Sequence, residues 1–313
     1  MVSWLPIYCT MPNVRLLNFL HLHLIVFIWG FTAILGALIS LDALPLVWFR
    51  MGLAVLFVWL FILFKKINLR IDRKTLLILV LSGLVIALHW ITFFRAIKVS
   101  NVSITLGTLS TGAFFASILE PIFYKRKVIW YEIFFGLMVI VGLYIIFRVE
   151  IRYVEGILLA LVSAFLSASF ALINGKLASF YSSSVITFYE LLGGLFFLSV
   201  FLLFNQQFSF AFFKLSVSDW LYLMILSSVC TAYAFIASVK VLRYLSPYTV
   251  MLTINLEPVY GIILAALIFK DKEHMSSSFY LGATLILLTV ILNGIVKNAS
   301  KWKKKSNAKT VSP

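Results

Sequence analysis

The sequence predicts an all-α polytopic membrane protein in which ten transmembrane helices form two inverted five-helix repeats. Three observations predict it: an apolar composition, ten apolar stretches of spanning length, and an internal similarity at a spacing of 145 residues. Of 313 residues, 63% are hydrophobic and 12% are charged, against about 45–50% and about 25% in soluble domains. A soluble fold of this size cannot bury so much apolar surface. Soluble enzymes and nucleic-acid-binding domains are therefore excluded.

Charged or turn-forming residues bound every apolar stretch. A spanning helix needs about 20 apolar residues, whereas a barrel strand is about half as long and alternates strictly, which these stretches do not. The predicted spans are 17–40, 44–64, 75–96, 101–123, 128–147, 154–176, 184–204, 219–240, 246–269 and 277–296. They divide the chain into an N-terminal segment (1–16), a first repeat (17–147), a second repeat (154–296) and a basic tail (297–313).

The basic residues predict the orientation in the membrane. With the N-terminus in the cytoplasm, 18 Lys and Arg residues fall in inner loops and 7 in outer loops. Because Lys and Arg in short loops favour the cytoplasmic side, both termini are expected there, in the cell (inner) membrane. The net charge of +15 is thus a topology signal rather than a nucleic-acid surface. We expect the tail to be disordered, serving topology or also anchoring on anionic lipid. Met11 is a candidate translation start.

The third and fourth spans align with the eighth and ninth when the sequence is shifted by 145 residues. Residues 76–98 then match 221–243 at five identical positions, and Arg95 and Lys98 meet the basic residues Lys240 and Arg243. The repeating unit holds five helices. Because five is odd, the second copy enters the membrane from the opposite side, as in many secondary transporters.

Several short motifs carry a family resemblance over nearly the whole chain. They are IWGF at 28–31, Arg50 in the second span, YKRK at 124–127 and NLEPVYGIILAALIFKDK at 255–272. With these motifs the chain resembles the EamA-type permeases of the drug/metabolite transporter superfamily. The resemblance implies a ten-helix carrier with a central cavity that exports amino acids or other metabolites, with protons as the common coupling ion. We expect no cofactor and no metal, since Cys9 and Cys230 are far apart and form no CxxC motif.

The ninth span carries the acidic residue of greatest interest. Glu257 lies about eleven residues into this span, about 16 Å deep, near the middle of a hydrocarbon core about 30 Å thick. Pro258 follows it and predicts a kink. Thr249, Thr253 and Glu257 share one helix face, and Asn255 lies close to it. Glu257 is suited to carry a proton or meet an ammonium group; the alternative is a protonated structural glutamate.

In the repeat, Gly112 occupies the place of Glu257. The predicted site is therefore symmetric in backbone and asymmetric in charge. Thr108, Ser110 and Thr111 offer hydroxyls to a substrate, or bond to carbonyls of their own helix. Gly112 can equally serve close helix packing.

Other intramembrane residues have two interpretations each. Arg50 and Glu190 occupy equivalent positions in the two repeats but lie too far apart in depth for an ion pair. Each is therefore expected to snorkel or to meet a local carbonyl; Arg50 also fits a gating role.

His89 can relay protons and Trp90 can stack on a substrate. The alternative is a hydrogen-bonded histidine that packs between helices and a tryptophan at the membrane interface. Glu120 predicts an ion pair or gate near the cytoplasmic end of the fourth span, beside Lys125 and Arg126. Trp29 either makes a helix contact or lines the cavity.

The sequence favours a secondary active transporter of small metabolites in the lipid bilayer over two alternatives. A lipid-processing enzyme needs a cluster of catalytic groups, and no loop is long enough to hold one. A sensory or structural membrane protein predicts a soluble partner domain, which the sequence does not show.

Overall fold

A computed structural model describes residues 12–125, 127, 130–245, 250, 253–254, 256–273 and 275–309. Met11, Thr249 and Asn255, named above, lie outside the described residues. The described part of the chain is helical and contains no strand.

The first half consists of long helices joined by short connections. Side chains cap several of them: the Asp72 carboxylate accepts from the backbone N–H of Thr75, and the Asn101 amide oxygen from that of Ile104. Such caps satisfy N–H groups that have no partner inside the helix. The helices are α1 (Pro12–Leu38), α2 (Ala43–Lys65), α3 (Arg73–Val99), α4 (Val102–Leu109), α5 (Gly112–Tyr124) and α6 (Trp130–Val149).

The second half begins after a 3₁₀ turn at Ile151–Tyr153 and contains one π-helical segment, Ser228–Tyr233. Its α-helices are α7 (Val154–Leu177), α8 (Ser183–Phe204), α9 (Phe210–Phe213), α10 (Val217–Ser227), α11 (Ala234–Val241), α12 (Glu257–Phe269) and α13 (Ser277–Lys309). Because α13 is helical through Lys309, the expectation of a disordered tail is wrong for that stretch.

Seven helical stretches within the described residues are long and apolar enough to cross a membrane: Leu16–Leu38, Ala43–Lys65, Arg73–Val99, Val102–Tyr124, Ile151–Leu177, Ser183–Phe204 and Val217–Val241. Three shorter apolar helices, Phe134–Ile146, Glu257–Phe269 and Ser277–Asn293, coincide with the other predicted spans. The chain is thus a multi-pass membrane protein, and the number ten stays a prediction.

The fourth and ninth spans are interrupted at equivalent positions. In the fourth, the Thr111 N–H bonds to the Thr108 carbonyl three residues back, and α5 begins at Gly112. In the ninth, the Leu256 N–H bonds to the Thr253 carbonyl in the same way, and α12 begins at Glu257. α5 and α12 each have 13 residues.

Helices approach closely where glycines remove the side chain. A Cβ on Gly83 of α3 would lie 2.1 Å from the Glu190 carbonyl oxygen of α8, so these backbones touch. A Cβ on Gly30 of α1 would lie 3.1 Å from the Tyr260 Cβ of α12. Small residues allow such packing where lipid provides no hydrophobic driving force between helices. These contacts bring α3 against α8 and α1 against α12.

Candidate substrate cavity

A cavity of about 100 Å³ lies beside the two interruptions. Both repeats contribute to the wall, through α1, α2, α3, α4 and α5 from the first and α7, α11 and α12 from the second. Gly112 and Glu257, the first residues of α5 and α12, both line it.

The two interruptions have different chemical causes. In the ninth span, Pro258 cannot donate a backbone hydrogen bond, so the helix restarts around it. In the fourth span, the Ser110 hydroxyl donates to the Gly107 carbonyl at 2.6 Å and the Thr111 hydroxyl to the Thr108 carbonyl at 2.9 Å. Hydroxyls that compete for carbonyls in this way bend helices.

Arg50 brings a positive charge to the cavity wall. Its guanidinium carbon lies 3.8 Å from the centre of the Trp90 ring, a cation–π contact. Its Nε donates to the Thr231 hydroxyl oxygen at 2.7 Å. Nη1 is buried and has no hydrogen-bond partner among the described residues. A buried unsatisfied donor on a cation is costly.

The π-helical segment prepares Thr231 for this contact. Its hydroxyl donates to the Leu226 carbonyl, five residues back, at 2.7 Å. That bond uses the one hydroxyl hydrogen and leaves a lone pair for the Arg50 Nε–H. π-bulges are frequent at functional sites, and here one fixes the direction of a buried guanidinium.

Arg50 therefore does not snorkel as the sequence analysis expects. Its side chain is 2% exposed, and the Trp90 ring and Thr231 hydroxyl replace the water or carbonyl that it was expected to reach. Glu190 is 0% exposed and accepts from Ser82 and Asn174, so it does not snorkel either.

Glu257 brings a carboxyl group to the same cavity. It is 7% exposed and is the first residue of α12. No ion pair of 4.0 Å or shorter joins it to Arg50, although both side chains lie in the described part of the chain and both line the cavity. The two charges are thus separated by space rather than neutralised by contact.

His89 is a third polar group of the wall. Its Nδ1 lies 2.9 Å from the Ser163 carbonyl oxygen and 2.8 Å from the Ser163 hydroxyl. The same hydroxyl donates back to the His89 carbonyl at 3.1 Å. Ser163 therefore fixes the ring orientation and occupies Nδ1, so Nε2 is the nitrogen left to meet a ligand.

Aromatic rings make up much of the remaining wall. Trp90 stacks on Arg50, and its ring centre lies 6.1 Å from that of Phe235. Phe170 lies 5.9 Å from Phe235 in turn. Trp29 and Phe93 also line the cavity. The wall thus combines a few charged groups with a broad apolar surface.

Several predicted site residues lie elsewhere. Thr108, Ser110, Thr111 and Thr253 are buried beside the interruptions and do not line the cavity. Glu120 is half-buried in α5, also away from the wall, and its expected neighbour Arg126 lies outside the described residues.

Four polar wall residues were not predicted from the sequence: Thr32, Ser167, Asn174 and Ser238. Asn174 carried the clearest signal, because an amide inside an apolar span is costly and needs partners. The sequence does not show which face of its helix points inward, because small and apolar residues surround it on all sides.

A solved chain described as "Crystal structure of protein" has this fold. It superposes with a TM-score of 0.65 at 13% sequence identity, over 88% of this chain and 96% of that chain. At this identity the likeness concerns the fold alone. The search of curated proteins gives no match.

The profile of the EamA-like transporter family matches twice, at residues 19–148 and 154–295, which together make up most of the chain. This duplication accompanies the paired interruptions at Gly112 and Glu257. The family consists of membrane transporters, which act on small molecules within a lipid bilayer and are not enzymes. The chain belongs to the EamA-like transporter family, within the drug/metabolite transporter superfamily.

Proposed function

We propose that the protein is a secondary active transporter that exports amino acids or closely related zwitterions in exchange for protons. The observation that carries the proposal is the pair of opposite charges, Arg50 and Glu257, on one cavity wall without direct contact. An amino acid has a carboxylate for the guanidinium and an ammonium for the carboxylate. Each end of such a substrate then meets an opposite charge, which offsets the cost of removing it from water.

The aromatic surface suits a substrate with an apolar side chain. Phe93, Phe170 and Phe235 surround the space beside Arg50 and Glu257 with rings that offer no hydrogen bonds to water. Burial of apolar area stabilises a complex by roughly 25 cal/mol per Å². We therefore propose leucine-like or aromatic amino acids rather than short polar ones.

Proton exchange follows from competition at Glu257. In an apolar site a carboxyl group is less costly protonated than charged, unless a cation accompanies it. Binding of a substrate ammonium favours the carboxylate and releases the proton. Return of a proton from the other side displaces the ammonium, so substrate and protons move in opposite directions.

Ten transmembrane helices and cytoplasmic termini in the inner membrane complete the proposal. Reporter fusions after Lys74, Lys127 and Lys305 are expected to report the cytoplasm, and fusions at Asp42 and Gln206 the outside. A cytoplasmic signal at Asp42 would overturn the orientation, because it contradicts the bias of Lys and Arg.

Counterflow in proteoliposomes tests the function. Vesicles with the purified protein are loaded with one unlabelled L-amino acid, and uptake of the same radiolabelled amino acid is followed for leucine, phenylalanine, tryptophan, serine and glutamate. We expect transient accumulation of one of the first three, absent from protein-free vesicles. No accumulation of any of the five would contradict the proposed substrate class.

A further inference from the structure

A second buried carboxyl group, Glu190 of α8, lies in a polar cluster beside the cavity. Its side chain is 0% exposed. Oε1 accepts from the Ser82 hydroxyl of α3 at 2.7 Å, and Oε2 accepts from the side-chain Nδ2 of Asn174 in α7 at 3.2 Å. Three helices therefore meet at this one carboxyl group.

Among the described residues, no cation is paired with Glu190. The helices packed around it carry several titratable side chains, but none of these forms an ion pair or hydrogen bond with Glu190 in the described part of the chain. Arg50 and His89 face the cavity and have partners there. The others lie towards the helix ends: Lys65 of α2, Arg73, Lys74, Arg95 and Lys98 of α3, Glu155 and Lys176 of α7, and Lys240 of α11.

Asn174 connects this cluster to the cavity. Its amide nitrogen is used by Glu190, while the residue itself lines the cavity wall. Its carbonyl oxygen Oδ1 is buried and has no hydrogen-bond partner among the described residues. The side chain is 2% exposed. A buried acceptor without a partner is costly, so Oδ1 favours any state of the cluster in which a donor reaches it.

The chemistry of the two groups links the proton on Glu190 to the polarity of the cavity wall. A carboxylate only accepts hydrogen bonds, so it requires the NH₂ of Asn174 and leaves Oδ1 without a partner. A protonated carboxyl can donate, so it can bond to Oδ1 after the amide turns over, which moves NH₂ to the side that Oδ1 held.

We propose that Glu190 is a proton-binding site of the transport cycle and that Asn174 relays its state to the substrate. With Glu190 ionised, the wall offers an oxygen to the substrate ammonium. With Glu190 protonated, the wall offers an amide N–H₂, which opposes an ammonium and favours its release. Asn174 is a positioning residue for this coupling, and the inference rests on the proposed exchange of a zwitterion for protons.

Infrared difference spectroscopy tests the proton site without a substrate. The liposome-reconstituted protein is titrated with pH, and the carbonyl stretch of protonated carboxylic acids is followed in the wild type, Glu190→Gln, Glu257→Gln and the double variant. We expect each single variant to lose part of the titrating band and the double variant to lose more. A band unchanged by Glu190→Gln would overturn the proton site. Glu190→Asp, which retains a carboxyl group, is expected to restore part of the band.

Two matched variants test the relay. Ser82→Ala and Asn174→Ala each remove one hydrogen bond from Glu190, but only Asn174 lines the cavity. Both are expected to move the infrared titration of Glu190. In counterflow of the amino acid that the wild type exchanges, with equal pH on both sides, only Asn174→Ala should flatten the pH profile, by at least half of its wild-type amplitude.

Equal pH profiles in Ser82→Ala and Asn174→Ala would overturn the relay, because both then act only through the stability of the cluster. Absence of counterflow in the wild type would count against the proposed function and, with it, the coupling. The infrared titration would still decide by itself whether Glu190 binds a proton, so the two failures are distinguishable.

Discussion

The fourth and ninth spans are interrupted at the same repeat position and border the same cavity, but they bring different side chains to it. α5 starts at Gly112 and α12 at Glu257, and the preceding turn has the same backbone hydrogen bond three residues back in both. One interruption is made by hydroxyls that bond to their own carbonyls and the other by a proline. Backbone geometry is therefore repeated while charge is not.

This difference would provide the asymmetry that the proposed zwitterionic substrate requires. A fully symmetric cavity would present the same charge twice. Of the repeat pair Gly112 and Glu257, only Glu257 brings a carboxyl group to the cavity. Of the second repeat pair, Arg50 brings a cation to the cavity, and Glu190 is buried behind the wall. A pair of similar backbones can thus hold a substrate with unlike ends.

The largest expected effect is that of Glu257→Gln, since it removes the only charged side chain that distinguishes the two interruptions. Gln preserves shape and hydrogen bonding but cannot titrate. A charge-assisted hydrogen bond is worth about 1.5–3 kcal/mol, so we expect counterflow to weaken by about 10-fold or more and pH-driven accumulation to disappear. Gly112→Ala, the matched change at the equivalent position, is expected to preserve the pH dependence.

Retained exchange without pH-driven accumulation in Glu257→Gln would indicate that the residue couples protons without binding the ammonium. Wild-type behaviour in both assays would contradict both roles and shift attention to His89.

Substitution of Arg50 is expected to have the next largest effect. Arg50→Lys preserves the charge but loses the planar fork that stacks on Trp90 and donates to Thr231. We expect the half-saturating substrate concentration in counterflow to rise by about 5- to 30-fold, equivalent to about 1–2 kcal/mol. Arg50→Gln, without charge, is expected to lose more. An unchanged half-saturating concentration in Arg50→Gln would contradict the proposal that the substrate carboxylate binds to Arg50.

Thr231→Val separates the position of the guanidinium from its charge. The variant removes the acceptor of Arg50 Nε and also the bond that supports the π-helical turn. One such hydrogen bond is worth about 1 kcal/mol, so a fivefold rise in the half-saturating concentration, with an unchanged pH profile, is the expected result. A changed pH profile would show that Thr231 acts on proton binding, which the geometry does not predict.

The sequence predicts the backbone of this protein better than it predicts the site. Hydropathy and the repeat at 145 residues identify the membrane class, the family and the place of the interruption, because Pro258 and the run TLSTG are local features. The inward face of each helix is a tertiary property. In spans that are apolar all round, Arg50 and Asn174 can therefore not be assigned to the cavity from the sequence.

Thr108 and Thr111 show a second limit of prediction from sequence. Both lie close to the interruption, and the sequence leaves open whether their hydroxyls meet the substrate or bond to carbonyls of their own helix. In the structure the Thr111 hydroxyl bonds to the Thr108 carbonyl within its own helix. Local hydrogen bonding and ligand binding use the same groups, and only the fold shows which of them prevails.

The smallest expected effect is that of a change at Asp72, which caps the N-terminus of α3 and does not line the cavity. Hydrogen bonds from Thr75 and Tyr181 lower the pKa of Asp72 below its usual range. Because the folded-state pKa is lowered, this stabilisation is present above the usual aspartate pKa of about 3.9 and is lost as the pH falls through and below that value. Asp72→Asn should lower Tm slightly at neutral pH and by less in acid. Ser182→Ala, which removes an uncharged cap at α8, should show no such pH dependence.

Reaction of cysteines with a small aqueous thiol reagent tests the central claim, that the cavity beside Gly112 and Glu257 holds the substrate. In a background without Cys9 and Cys230, Ser167→Cys and Ser238→Cys place thiols on the wall, and Thr108→Cys places one beside the interruption but off the wall. We predict that both wall cysteines react and that the amino acid active in counterflow slows their reaction, whereas Thr108→Cys reacts little and is unaffected. Wall cysteines that do not react while a loop cysteine does, or that react at the same rate with and without the amino acid, would contradict the account.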